Sequence, residues 1–74
     1  MTTTQIDQAV RAELAHAYHK HGREPWSRHQ FYAILLEEVD ELWDAIKVDA
    51  PTADIEKEAL QIACVVFRFM ETNL

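Results

Sequence analysis

Three glutamates stand among apolar residues at positions where a helix would bury them. On a helical wheel for residues 27–48, Glu38 falls inside the apolar arc and Glu41 lies at its edge. The next helical segment repeats the pattern, with Glu58 between apolar neighbours. A carboxylate on an apolar face is costly unless it is hydrogen-bonded, paired with a cation or bound to a metal. Because Glu38 and Glu41 stand one turn apart, about 5–6 Å from each other, the spacing predicts a cluster of converging carboxylates.

The local charge favours a metal ion as the partner of these carboxylates. Nine acids and two lysines lie between residues 37 and 58, so that segment carries −7, whereas the rest of the chain nets +1. Two lysines cannot neutralise the cluster, but Mg²⁺ takes oxygen ligands and is typically completed by substrate phosphates. Two simpler interpretations stay open: Glu38 reaches a helix edge, or it pairs with an arginine of another helix or subunit.

Other groups of residues give weaker evidence for metal or phosphate chemistry. Glu13 and His16 form a Glu-x-x-His pair, but a di-iron bundle needs two such units and the chain holds one. The four histidines have no zinc-ligand spacing in combination with Cys64, which lies on the more polar side of its predicted helix. The chain has no Gly-rich phosphate-binding loop, which excludes a P-loop mechanism.

The elements that would position the glutamates are three helices. Apolar residues recur at helical spacing between Gly22, Pro25 and Pro51, with no sustained alternation that would indicate strands. The first helix is predicted over about residues 5–20, with Thr4 as N-cap and Asp7 completing a capping box. The second is predicted over 27–48, with Ser27 and Gln30 in the capping-box positions, and the third over 53–72. Short connections predict antiparallel neighbours in an all-α bundle.

Length and charge restrict the class of protein. The 74 residues form one predicted domain, 1–74, whose core is small for a monomer. The apolar arcs of the second and third helices exceed half of each wheel, and a monomer would leave an exposed apolar flank of Trp43, Leu36, Phe67 and Leu60. We therefore expect a homodimer, or a dimer of dimers, that completes a four-helix bundle. A net charge of −6 argues against duplex nucleic acid as a partner. The absence of an apolar run of about 18 residues argues against a membrane span. A single cysteine indicates a reducing, cytoplasmic compartment.

The acidic motifs resemble those of a known family. Residues 37–41 read Glu-Glu-Val-Asp-Glu and residues 58–61 read Glu-Ala-Leu-Gln. Together they resemble the EExxE…ExxD signature of the MazG-like all-α nucleoside triphosphate pyrophosphohydrolases, and the similarity extends over about residues 20–72. The resemblance implies Mg²⁺-dependent hydrolysis of a nucleoside triphosphate to the monophosphate and pyrophosphate, with Mn²⁺ as a substitute ion, by a dimeric protein.

The resemblance also assigns roles to particular residues. The family's catalytic metal ligands fall on Glu38, Glu41 and Glu58. Glu37 matches the first Glu of the motif, but the helical wheel turns it away from the site, so it is a weaker candidate. The family's final Asp falls on Gln61, which is a poorer ligand because an amide oxygen adds no negative charge. One metal position is therefore weakened in this chain.

Residues near the second helix are candidates for binding the substrate. Lys20, Arg23 and Arg28 could contact phosphate oxygens, and Trp26 could stack on the base; the simpler interpretation is a solvated loop, with Trp26 as a core lid or interface residue. The alternative function, favoured by Gln61 in place of Asp, is a non-catalytic helical interaction module. Metal dependence separates the two, because an enzyme of this kind should be stabilised by Mg²⁺.

Overall fold

A computed structural model describes all residues, 1–74, as three helices without strands. Helix α1 spans Thr3–His21, α2 spans Arg28–Lys47 and α3 spans Thr52–Asn73. The all-helical class and the three segments predicted from the apolar spacing are confirmed. None of the three helices combines the length and the hydropathy needed to cross a membrane.

The helix ends follow from capping residues, with one correction. Ser27 caps α2 through the predicted box: its hydroxyl accepts from the Gln30 backbone N–H at 3.1 Å, and the Gln30 side chain accepts from the Ser27 N–H at 2.8 Å. The prediction that Thr4 caps α1 is wrong, because Thr2 forms the equivalent box with Gln5 and the helix begins earlier. An amide at the third helical position can close the box as well as an acid can.

Glycine ends the first helix in the expected way. Gly22 has a φ of 76°, and its N–H donates to the Tyr18 carbonyl at 2.8 Å. A residue with a Cβ is disfavoured in this left-handed region. Gly22 can adopt it, so α1 ends here and the chain continues as a loop towards Pro25. Pro51 similarly precedes α3, where the loss of its N–H costs the helix nothing.

Helix α3 is the centre of the fold. It packs against α2 on one side and α1 on the other, whereas α1 and α2 do not pack against each other. The Phe31 and Phe69 rings stack with centroids 4.0 Å apart. Glu38, later in α2, meets Glu58, earlier in α3, so the two helices run antiparallel. Gln61 bonds to Glu13 across the other interface, and Tyr18 bonds to Glu71, so α1 runs parallel to α3. Helices α1 and α2 therefore run in opposite directions, as expected, but the expectation that they would pack as neighbours is wrong.

Packing on both sides of α3 changes two further assignments. Cys64 was expected on a polar side of its helix, but it is 5% exposed and forms the core with Val10 and Leu14. Leu60 packs against the same cluster, so it does not belong to an exposed apolar flank. Both differences arise because α1 covers a face of α3 that the helical wheel assigned to solvent.

Candidate functional site

The antiparallel pairing of α2 and α3 brings three glutamates together. Glu38 and Glu41 lie one turn apart on α2, and Glu58 lies in the second turn of α3 opposite them. One carboxylate oxygen from each of the three lies within 4.8 Å of the others. Glu38 and Glu58 are half-buried, whereas Glu41 is exposed at the edge. The arrangement gathers oxygen donors from two helices at one point.

This cluster carries uncompensated negative charge. Burial raises the pKa of Glu38 above its ordinary value, and the charge of Glu41, a side-chain hydrogen bond with Glu41 and the charge of Glu58 raise this pKa further. The Glu38 Oε2 atom is cut off from solvent and has no hydrogen-bond partner. The ion pairs of the chain are Arg11–Asp7 and Lys47–Asp44, so no arginine or lysine of this chain pairs with the cluster.

The donor set fits a hard divalent cation. Three carboxylates offer the oxygen ligands that Mg²⁺ and Mn²⁺ accept, and the orphaned Glu38 oxygen would gain a partner on binding. Glu38, Glu41 and Glu58 are the residues that would hold the ion. Glu37 is exposed and lies outside the cluster. The Gln61 amide donates to Glu13 Oε2 at 3.0 Å, so its nitrogen is engaged by α1.

A groove separates α1 from α2, with α3 as its floor. Its volume is about 1090 Å³, and its lining includes Lys20 and Trp26, two of the four predicted substrate-binding residues. Arg23 and Arg28 are outside the lining. The Arg23 guanidinium lies over the Tyr18 ring, 3.9 Å from its centroid. The structure therefore divides the four predicted substrate-binding residues between the groove, with Lys20 and Trp26, and the surface outside it, with Arg23 and Arg28.

Arg68 is a charged residue of this groove that the sequence analysis did not predict as a site residue. Arg68 lines the groove, is only 8% exposed, and has a buried Nε without a hydrogen-bond partner. Its Cζ lies 4.2 Å from the centroid of the Trp26 ring system, and the Trp26 carbonyl accepts a hydrogen bond from the Asn73 side chain. The available signal was a lone cation inside the apolar run 62–70.

Comparison with known proteins adds no assignment. No family model, curated protein or solved structure matches the chain.

Proposed function

We propose that the chain is a Mg²⁺-dependent nucleoside triphosphate pyrophosphohydrolase, which converts a nucleoside triphosphate and water to the monophosphate and pyrophosphate. The observation that carries the proposal is the approach of Glu38, Glu41 and Glu58 to within 4.8 Å, with one Glu38 oxygen buried and unpartnered. The resemblance of residues 37–41 and 58–61 to the MazG-like signature supports the same reaction.

The residues of the chain supply position and charge. Glu38 and Glu58 are fixed by two packed helices, so the distance between them is set by the α2–α3 interface and not by a mobile loop. Hydrolysis breaks the anhydride bond that joins the monophosphate to the leaving pyrophosphate, and the water oxygen bonds to phosphorus. A bound divalent ion would neutralise the triphosphate and polarise the phosphorus under attack. Catalysis of phosphoryl transfer is mostly positioning and electrostatic stabilisation, which matches a rigid carboxylate cluster.

The experiment is an assay of pyrophosphate release from canonical nucleoside triphosphates with Mg²⁺, with Mn²⁺ and with EDTA. Glu38→Gln and Glu58→Gln should abolish metal-dependent turnover while keeping the helical CD signal. Glu56→Gln is the matched control, because Glu56 lies on α3 but is exposed and outside the cluster. Turnover in EDTA, or equal turnover in all four proteins, would reject the proposal.

A non-catalytic helical module is the second candidate, and Gln61 favours it. The position that the family fills with Asp holds an amide that bonds to Glu13, and so serves the α1–α3 interface. A module of this kind would release no pyrophosphate with any triphosphate. If it is also indifferent to Mg²⁺, the carboxylate cluster has no metal role.

We also propose that two chains associate through α2. Five apolar residues follow one another at heptad-like spacing along this helix and are 42–62% exposed: Tyr32, Leu36, Val39, Trp43 and Ile46. Such a seam is typical of helices that pack against a partner helix. Only four apolar residues of the monomer are buried, and burying a large side chain is worth about 1.5–3 kcal/mol. Pairing the seams of two chains would complete a four-helix arrangement.

A further inference from the structure

A buried positive charge without a counter-ion lies at one end of the groove. Arg68 is only 8% exposed, and its buried Nε has no hydrogen-bond partner in the protein. Glu71, three residues further along α3, is engaged elsewhere, because it accepts a hydrogen bond from the Tyr18 hydroxyl at 2.8 Å. The Trp26 ring contacts the guanidinium, but a ring face offers no oxygen acceptor to the N–H donors.

Further positive charge surrounds the same end. The parallel pairing of α1 with α3 places the last turn of α1 beside Arg68, and Lys20 and His21 of that turn line the groove. The N-terminal end of α2 reaches the groove through Gln30, and a helix N-terminus carries partial positive charge. Glu24 is the acid of the lining at this end. Arg68, Lys20 and Arg23 carry three positive charges at this end. The carboxylates of Glu24 and Glu71 offset two of them, so the local balance is +1 in a chain whose net charge is −6.

We propose that Arg68 anchors a binding site for a phosphate group at this end of the groove. A guanidinium forms paired, charge-assisted hydrogen bonds with an oxyanion. A phosphate near neutral pH carries close to two negative charges, which suits Arg68 together with Lys20. The ligand is inorganic phosphate or a phosphate monoester, which share this chemistry.

The site is separate from the glutamate cluster. Glu58 and Arg68 are ten residues apart on α3, which is a rise of about 15 Å along the helix. A phosphate held by Arg68 is therefore a different group from one held beside the glutamates. Binding here does not depend on the proposed hydrolysis, because it needs neither a metal ion nor the carboxylates.

The test is a titration with inorganic phosphate in EDTA, followed by calorimetry and by the NMR signal of the Arg68 Nε–H. Arg68→Met should weaken phosphate binding roughly 10- to 100-fold, the loss expected for charge-assisted hydrogen bonds. Arg11→Gln is the matched control, because it removes one positive charge from an exposed ion pair outside the groove. Glu38→Gln should keep phosphate binding in EDTA even though it abolishes turnover.

Each comparison in this experiment either supports or overturns the phosphate site. A nucleoside monophosphate in place of inorganic phosphate distinguishes the two sources, and preference for either supports the site. Acetate at matched ionic strength binding as tightly as phosphate would overturn the phosphate assignment, and equal binding by Arg68→Met and the wild type would overturn the role of Arg68. If Arg68→Met does not fold, the wild-type Nε–H signal decides: a saturable shift supports the site, and an unchanged signal rejects it.

Discussion

Replacing Glu38 by glutamine should stabilise the metal-free protein. The substitution keeps the side-chain shape and removes two of the three repulsive pairs in the cluster. Charges 4.8 Å apart repel by about 0.9 kcal/mol in a medium like water, and by about 3.5 kcal/mol at an effective dielectric constant near 20. Because Glu41 is exposed, the lower figure applies more closely, and we expect Glu38→Gln to gain about 1–2 kcal/mol at pH 7.

The sign of the pH dependence follows from the raised pKa of Glu38. Burial and the charge of Glu41 place this pKa above the ordinary value of 4.5. Between 4.5 and the raised value, the folded protein keeps a proton that the unfolded chain releases. The contribution of Glu38 to stability therefore falls as the pH rises through this window, and recovers as the pH falls. The difference between the wild type and Glu38→Gln should widen over the same window and then level off.

Thermal unfolding in EDTA and in Mg²⁺ measures both effects. For a domain of this size, each 1 kcal/mol corresponds to about 4–8 °C in Tm, so Glu38→Gln should melt several degrees above the wild type in EDTA. Free Mg²⁺ at ten times its Kd should stabilise the wild type by about 1.4 kcal/mol. The variant lacks a ligand and should gain much less, so Mg²⁺ should close the gap or reverse it.

The control for this experiment is Glu56→Gln, which makes the same chemical change at an exposed position. It should shift stability by less than about 0.5 kcal/mol and should keep the full response to Mg²⁺. If Glu38→Gln and Glu56→Gln have the same Tm in EDTA, the repulsion assigned to the cluster is wrong. A wild type whose stability ignores Mg²⁺ would refute the metal assignment as well.

Three other substitutions test the remaining contacts. Gln61→Asp should destabilise the protein by about 1 kcal/mol in EDTA, because it replaces the donor to Glu13 by a second carboxylate. Mg²⁺ should restore this lost stability in a thermal melt, and unchanged stability in EDTA would mean that the hydrogen bond to Glu13 contributes nothing. Trp43→Glu should convert a dimer to monomers in sedimentation equilibrium at micromolar concentration, whereas Ala33→Glu should not, because Ala33 lies on the exposed polar side of α2, about 80° around the helix from Trp43. A wild type that sediments as 8.6 kDa would contradict the dimer. Ser27→Ala should cost about 1 kcal/mol in chemical denaturation, and a cost near zero would show that the capping box is not formed in solution.

The sequence was most informative where local chemistry decides the structure. The α2 start at Ser27 and the end of α1 at Gly22 follow from groups within four residues of the boundary, so they could be predicted. The meeting of Glu38 with Glu58 required one further assumption, that the short connection of residues 48–51 makes α2 and α3 antiparallel neighbours. That assumption holds for this pair.

The packing partner of α1 could not be predicted in the same way. A wheel shows that α1 has an apolar stripe, but it does not show whether α2 or α3 covers that stripe. Because α3 is apolar on two sides, it accepts both neighbours, and α1 is displaced from α2. The burial of Cys64, the groove and the enclosure of Arg68 all follow from this one displacement, and for that reason all were missed together.

Glu38 and Arg68 each place a charge without an ionic partner in a domain whose core is small. Folded domains are stable by only about 5–15 kcal/mol, and an uncompensated buried charge costs a substantial part of that. Glu38 on α2 and Arg68 on α3 have opposite charges. Arg68 lies ten residues along α3 from Glu58, the residue that Glu38 meets, so the two charges do not neutralise each other. Replacing either by an apolar residue of similar size would be the simpler way to stabilise an isolated domain. The two proposed ligands, a cation at Glu38 and an oxyanion at Arg68, would each give one of these charges a partner, and their binding would stabilise the folded chain.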